Sequence, residues 1–150
     1  MRAGRRDERG SIAPAVPIIA MALLLLGGLG IDGSRQLNAR GEAVAFAEEA
    51  ARAGAQAVDI ASGPLALDPA LVEDRVNSYC DTVEQLGQVE SCRFVKIAPV
   101  SDDDPRMLVV VTEVKLKIQA SLLSMIGVHD LHASAGAKAR PYEGVSTAEK

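Results

Sequence analysis

Charge is segregated along the chain. The first ten residues hold six charged side chains, and residues 11–31 then hold none, with Ile18-Ile19-Ala20-Met21-Ala22-Leu23-Leu24-Leu25-Leu26 at their centre. Roughly 20 apolar residues in a helix cross the hydrocarbon core of a bilayer. A soluble domain of this size would need apolar neighbours on every side of such a helix. Residues 11–31 therefore read as a transmembrane helix. From Gln36 to about Ala61 the chain is rich in Ala, Glu, Arg and Gln and has no Pro, which favours continued helix. Leu37, Val44, Ala47, Ala51, Ala55 and Val58 recur at helical intervals as its apolar stripe. Span and extension read as one rod of roughly 50 residues, about 75 Å long. Gly27, Gly28, Gly30 and Gly33 are places where it can bend, and Ser62-Gly63-Pro64 is its stop.

Asp68-Pro69 signals a second helix: Asp caps free N–H groups, and Pro is preset for the first helical position. Val72, Val76, Tyr79 and Val83 share one face, and Gly87 is a natural stop. Beyond it the period changes. Residues 89–97 are rich in β-branched and aromatic side chains. Ser101-Asp102-Asp103-Asp104-Pro105 is a turn. Val110, Thr112, Val114, Leu116 and Ile118 alternate with Val111, Glu113, Lys115 and Lys117, as in a half-buried strand with one wet face. Leu131, Ala133, Ala135, Ala137 and Ala139 alternate likewise in a third strand. Between these two strands, residues 121–128 form a short apolar piece with room for one helical turn. The fold class is α+β: a transmembrane helix continuing into a long helix, then a second helix and a small three-stranded antiparallel sheet. The parts are a basic cytoplasmic leader (1–10), the span (11–31), the extended helix (32–62), an extracytoplasmic α+β domain (63–141) and a polar tail (142–150).

Orientation follows from the flanks. Arg2, Arg5, Arg6 and Arg9 precede the span, and Asp32 follows it. Basic flanks remain cytoplasmic, so the N-terminus is placed inside a single-pass cell-membrane protein. A cleaved signal peptide is the alternative. Against it, the run is long for that role and no small-x-small site follows directly.

Composition narrows the function. The net charge is −4, which gives no general case for nucleic-acid binding. Aromatic residues make up only 3%, with no Trp, poor material for an aromatic-lined small-molecule pocket. Cys80 and Cys92 are the two cysteines. Outside the membrane they read as one disulfide tying the second helix to the first strand, with two free buried thiols as the other reading. A bridge closing such a loop contributes roughly 3 kcal/mol. No catalytic or metal constellation emerges. His129 and His132 flank Asp130 without a further ligand nearby in sequence. Asp102-Asp103-Asp104 lacks the spaced ligands of a calcium loop, and Ser11, Ser121 and Ser124 have no recognisable base. No cofactor, metal or enzymatic activity is expected. Ile18, Leu23, Leu26, Gly27 and Leu29 are the expected packing positions in the membrane.

Arg5-Arg6-Asp7-Glu8-Arg9-Gly10-Ser11, the apolar run, Gly30-Ile31-Asp32-Gly33 and the Ala-rich stretch through Ala50-Ala51-Arg52-Ala53-Gly54-Ala55-Gln56 together resemble the TadE/TadG-like family of tight-adherence (Flp) pilus systems. The resemblance covers about the first 60 residues. Beyond them, the strand-rich pattern and the apolar piece near Leu122 are similar to the external region of actinobacterial members. The resemblance implies a pilin-like minor pilin or pilus-assembly component, whose partners are the lipid bilayer and other pilus or secretion-apparatus proteins. In pilin-like members a membrane peptidase cuts after a Gly at the cytoplasmic edge. Gly10 and Ser11 match that processing site, although the Glu such members carry at the fifth position after the cut is here Ala15. The competing function is an extracellular binding module, secreted or anchored, whose N-terminal run is a signal peptide.

Overall fold

The computed structural model describes residues 14–59, 66–101 and 104–141. The leader, Gly10, Ser11, Ser62-Gly63-Pro64, Asp102, Asp103 and residues 142–150 lie outside the described residues.

Helix α1 (Ala15–Ala55) runs 41 residues without interruption, about 62 Å at 1.5 Å per residue. Pro17 falls in its first turn, where a missing N–H loses no helical bond. The helix passes Gly27, Gly28, Gly30 and Gly33 unbroken. It ends at Ala55, earlier than the stop read at residues 62–64, because Ala57 N–H turns back to the Gly54 carbonyl at 3.0 Å. The chain then enters a short hairpin that the sequence reading did not anticipate, β1 (Val58–Asp59) paired antiparallel with β2 (Ala66–Leu67). Helix α2 (Pro69–Glu84) begins as its cap predicts, with the Asp68 carboxylate accepting the Ala70 N–H at 2.9 Å and Pro69 in the first position. Past its end the chain turns at Gly87, whose φ is +76°.

Strands β3 (Val89–Ser101), β4 (Asp104–Gln119) and β5 (Asp130–Ala139) form an antiparallel sheet in the order β3-β4-β5. Their register sends Phe94, Thr112 and Ala137 to one face and Arg93, Glu113 and Gly136 to the other. The first face receives both helices, α1 over β4 and β5 and α2 over β3. The second carries ion pairs, Arg93 with Glu113 and Lys117 with Asp130 at 3.0 Å, and sets His132 Nε2 3.7 Å from the Glu90 carboxylate. The Arg93 guanidinium holds the Glu113 carboxyl below its usual range.

The core is built from small side chains. α1 buries Ala39, Ala43, Ala47, Ala50, Ala51, Gly54 and Ala55 against Val72 and Val76 of α2 and Val110, Val114 and Leu116 of β4. Leu37 and Val44, read as part of the apolar stripe, are exposed, Leu37 at 73%. Alanine allows the helix backbone to come close to the sheet. One measure of that closeness is the buried Thr112 hydroxyl, which donates to the Ala47 carbonyl at 2.7 Å. A Cβ at Gly54 would stand 2.7 Å from Val76 Cγ2 and 2.9 Å from Val110 Cγ1, so this position requires glycine.

Three further ties hold α2 in place. Cys80 and Cys92 are bridged with Cα atoms 5.2 Å apart, and beside them the Cys92 N–H donates to Glu84 Oε1 at 2.9 Å. The Tyr79 hydroxyl donates to Glu49 Oε2 of α1 at 2.9 Å. Burial first, then that hydrogen bond and the Glu49 charge, push the Tyr79 phenol up to about 12.

Candidate functional site

The first half of α1 stands clear of the domain. Val16, Ile18, Ile19, Met21, Leu23, Leu24, Leu26 and Leu29 are all exposed, Leu24 at 70%. Gly27 has no neighbouring atom within 4 Å of where a Cβ would stand. The packing positions expected at Ile18, Leu23, Leu26 and Leu29 are thus exposed, and Gly27 lies open beside them. By length and composition α1 is able to cross a membrane.

The domain meets this apolar segment at one place. After β4 the chain makes a 3-10 turn, Leu123–Ile126, which the short apolar piece at 121–128 had suggested. That turn is clasped by Asp32, the first acidic residue after the apolar run. Asp32 is completely buried. Its Oδ1 accepts the Ser121 N–H at 2.9 Å, and its Oδ2 accepts the Leu122 and Leu123 N–H groups at 2.9 and 2.8 Å. These are donors at the start of a helical turn, which have no intrahelical acceptor, and a carboxylate there makes charge-assisted bonds. The Leu123 amide, followed by that of Ser121, holds the Asp32 carboxyl below its ordinary value of 3.8, with burial opposing. The Arg35 guanidinium, one turn on, donates to the Ser121 hydroxyl.

One turn before Asp32 lies Gly28, buried under Leu122. A Cβ there would stand 2.7 Å from Leu122 Cβ. Gly28 and Asp32 are four apart and so share a helix face. The first leaves space for the turn and the second binds its amides. Sequence reasoning placed Gly30-Ile31-Asp32-Gly33 in a motif but gave Asp32 no partner, since its donors lie 89 to 91 residues away.

The remaining candidates stay apart. His132 sits on the charged sheet face beside Glu90, and His129 precedes β5 with its carbonyl accepting the Ala120 N–H. Among the described residues no three His, Cys, Asp or Glu side chains gather as a metal group. Ser124 donates to the Ser121 carbonyl at 2.7 Å, within the clasped turn.

Residues 10–57 match the family model of the Tad proteins, described as Flp pilus-assembly TadE/G-like. The match spans α1 and ends at the turn into β1. No curated protein and no solved structure matches the chain.

Proposed function

Taking the TadE/G-like match over residues 10–57 as the starting point, we propose that the chain is a membrane-anchored structural component of a Flp-type pilus system, a minor pilin or an assembly factor. The carrying observation is the coincidence of that match with a helix whose apolar half is exposed and whose other half forms the domain core. The basic residues before the run and Asp32 after it favour a cytoplasmic N-terminus and an external domain. The working parts are then the apolar helix, which contacts lipid or neighbouring pilus subunits, and the external domain, which contacts other pilus proteins. Nothing in this role requires a catalytic group.

A permanent anchor is favoured over a cleaved signal peptide by Gly28. It lies within the apolar run and also packs against Leu122 of the folded domain. Removing the run would uncover that contact. Cleavage after Gly10 is different: it takes away the charged leader and leaves α1 whole.

The test is the intact mass and N-terminal sequence of protein recovered from membrane and from medium. A membrane form beginning at Ser11 indicates pilin-type processing, and a full-length membrane form an anchored assembly factor. A medium form lacking the apolar run would overturn the anchored reading.

A further inference from the structure

The segment that Asp32 clasps is unusual for the surface of a water-soluble domain. From Ile118 to Val128 there is no charged residue. Within this stretch Met125 is 80% exposed, Ile126 57% and Val128 41%. Adjacent apolar side chains exposed on one turn mark a contact surface. The structure also says where on the molecule that surface sits. Leu122 rests on Gly28, about 6 Å along the helix inside Asp32. Along α1 it is level with Leu29 and Ile31, which are exposed as well. Polar groups border it on the domain side: Arg35 at Ser121, and Lys117 paired with Asp130 at 3.0 Å.

We propose that the turn Leu123–Ile126 is a second membrane contact, which dips into the outer leaflet beside the span. The occupant of its exposed apolar side is lipid acyl chain, and the bordering polar groups lie at headgroup level. This rests on the membrane-anchored reading of α1. The argument is continuity: the turn is fastened to the side of the apolar run itself. If the run lies in hydrocarbon, a turn packed on Gly28 lies at its edge. The apolar face of an interfacial helix is buried by about 5–10 Å, and the same depth is expected for this turn. Asp32 suits such a place, because amides that leave water need an acceptor supplied by the protein. The domain is then held at two points, the span and the turn, which fixes its tilt against the membrane.

The chain has no Trp, so single Trp probes can be read without background. Full-length Met125→Trp, Leu24→Trp and Val100→Trp would be reconstituted in phosphatidylcholine vesicles. The acyl chains would be brominated either near the carbonyl end or near the terminal methyl. All three replaced side chains are exposed, so folding is little affected. The expected result is loss of Met125→Trp emission mainly to the shallow bromines. Leu24→Trp should be quenched most by the deep bromines, and Val100→Trp, near the far end of the sheet, by neither. Quenching of Leu24→Trp with none of Met125→Trp overturns the second contact and leaves the anchor standing. A blue-shifted but unquenched Met125→Trp means that protein covers the turn, and also overturns it. No quenching at Leu24→Trp removes the anchor and the proposal together.

Discussion

The Asp32 carboxylate accepts the Leu123 N–H at 2.8 Å, joining the C-terminal end of the apolar run to a turn 91 residues later. With Ser121 and Leu122 also bound, one side chain satisfies three consecutive amides. Asp32→Asn keeps the size but replaces one acceptor oxygen by a donor facing donors. We expect the amides of residues 121–123 to lose exchange protection, while those of β4 keep theirs, as read by amide exchange of the solubilised full chain.

The same clasp depends on pH in a defined direction. The folded carboxyl titrates below 3.8, so its contribution is complete above that value and is lost as pH falls through the lower folded one. Amide shifts of Ser121, Leu122 and Leu123 should move together in that acid range and stay constant towards neutrality. Movement near neutral pH would contradict the assignment.

Gly54 and Gly41 offer a paired test within α1. An added methyl at Gly54 meets Val76 and Val110, whereas at Gly41 it meets nothing. Gly54→Ala should destabilise by about 1–3 kcal/mol through overpacking. Gly41→Ala should stabilise by about 0.5–1 kcal/mol through helix propensity. Equal effects in denaturant melts would mean that α1 does not approach the sheet this closely.

Much of this architecture is legible in the sequence. The alternation around Thr112 and the Asp68-Pro69 start are local signals, and they appear where expected. The buried stripe of α1 was harder to read, because bulk was a poor guide. Ala47, Ala51 and Ala55 of the expected stripe are buried, but Leu37 and Val44 are exposed and the missed Ala39 and Ala43 are buried in their place. β3 runs on to Ser101, past the stretch read as strand, and irregularities after Val89, Phe94 and Pro99 break its alternation. The Asp32 clasp has no local signature, since its meaning comes from amides nearly ninety residues away. The only hint is an apolar, uncharged stretch between two strands whose exposed faces are charged.

The Cys80–Cys92 bridge spans a separation of 12 residues and ties α2 to β3. Reduction should lower stability by roughly 3 kcal/mol. Melting with and without reductant measures this, and an unchanged midpoint would count against the bridge.

Tyr79→Phe removes the hydroxyl that reaches Glu49 and should cost about 1 kcal/mol. The phenol's folded value of about 12 lies above its ordinary 10.0, so its contribution is intact below pH 10 and is lost as pH rises towards 12. The stability difference between wild type and Tyr79→Phe should therefore shrink over that alkaline range.

Because α1 passes from the apolar run into the core without a joint, the domain has no swivel. Its compass heading is set by residue count. One residue inserted between Asp32 and Ala39 would turn the sheet by about 100° around the helix axis and tear it from the clasp. A pull on the far end of the sheet would likewise travel straight down the backbone of a single rod, with no slack segment to absorb it.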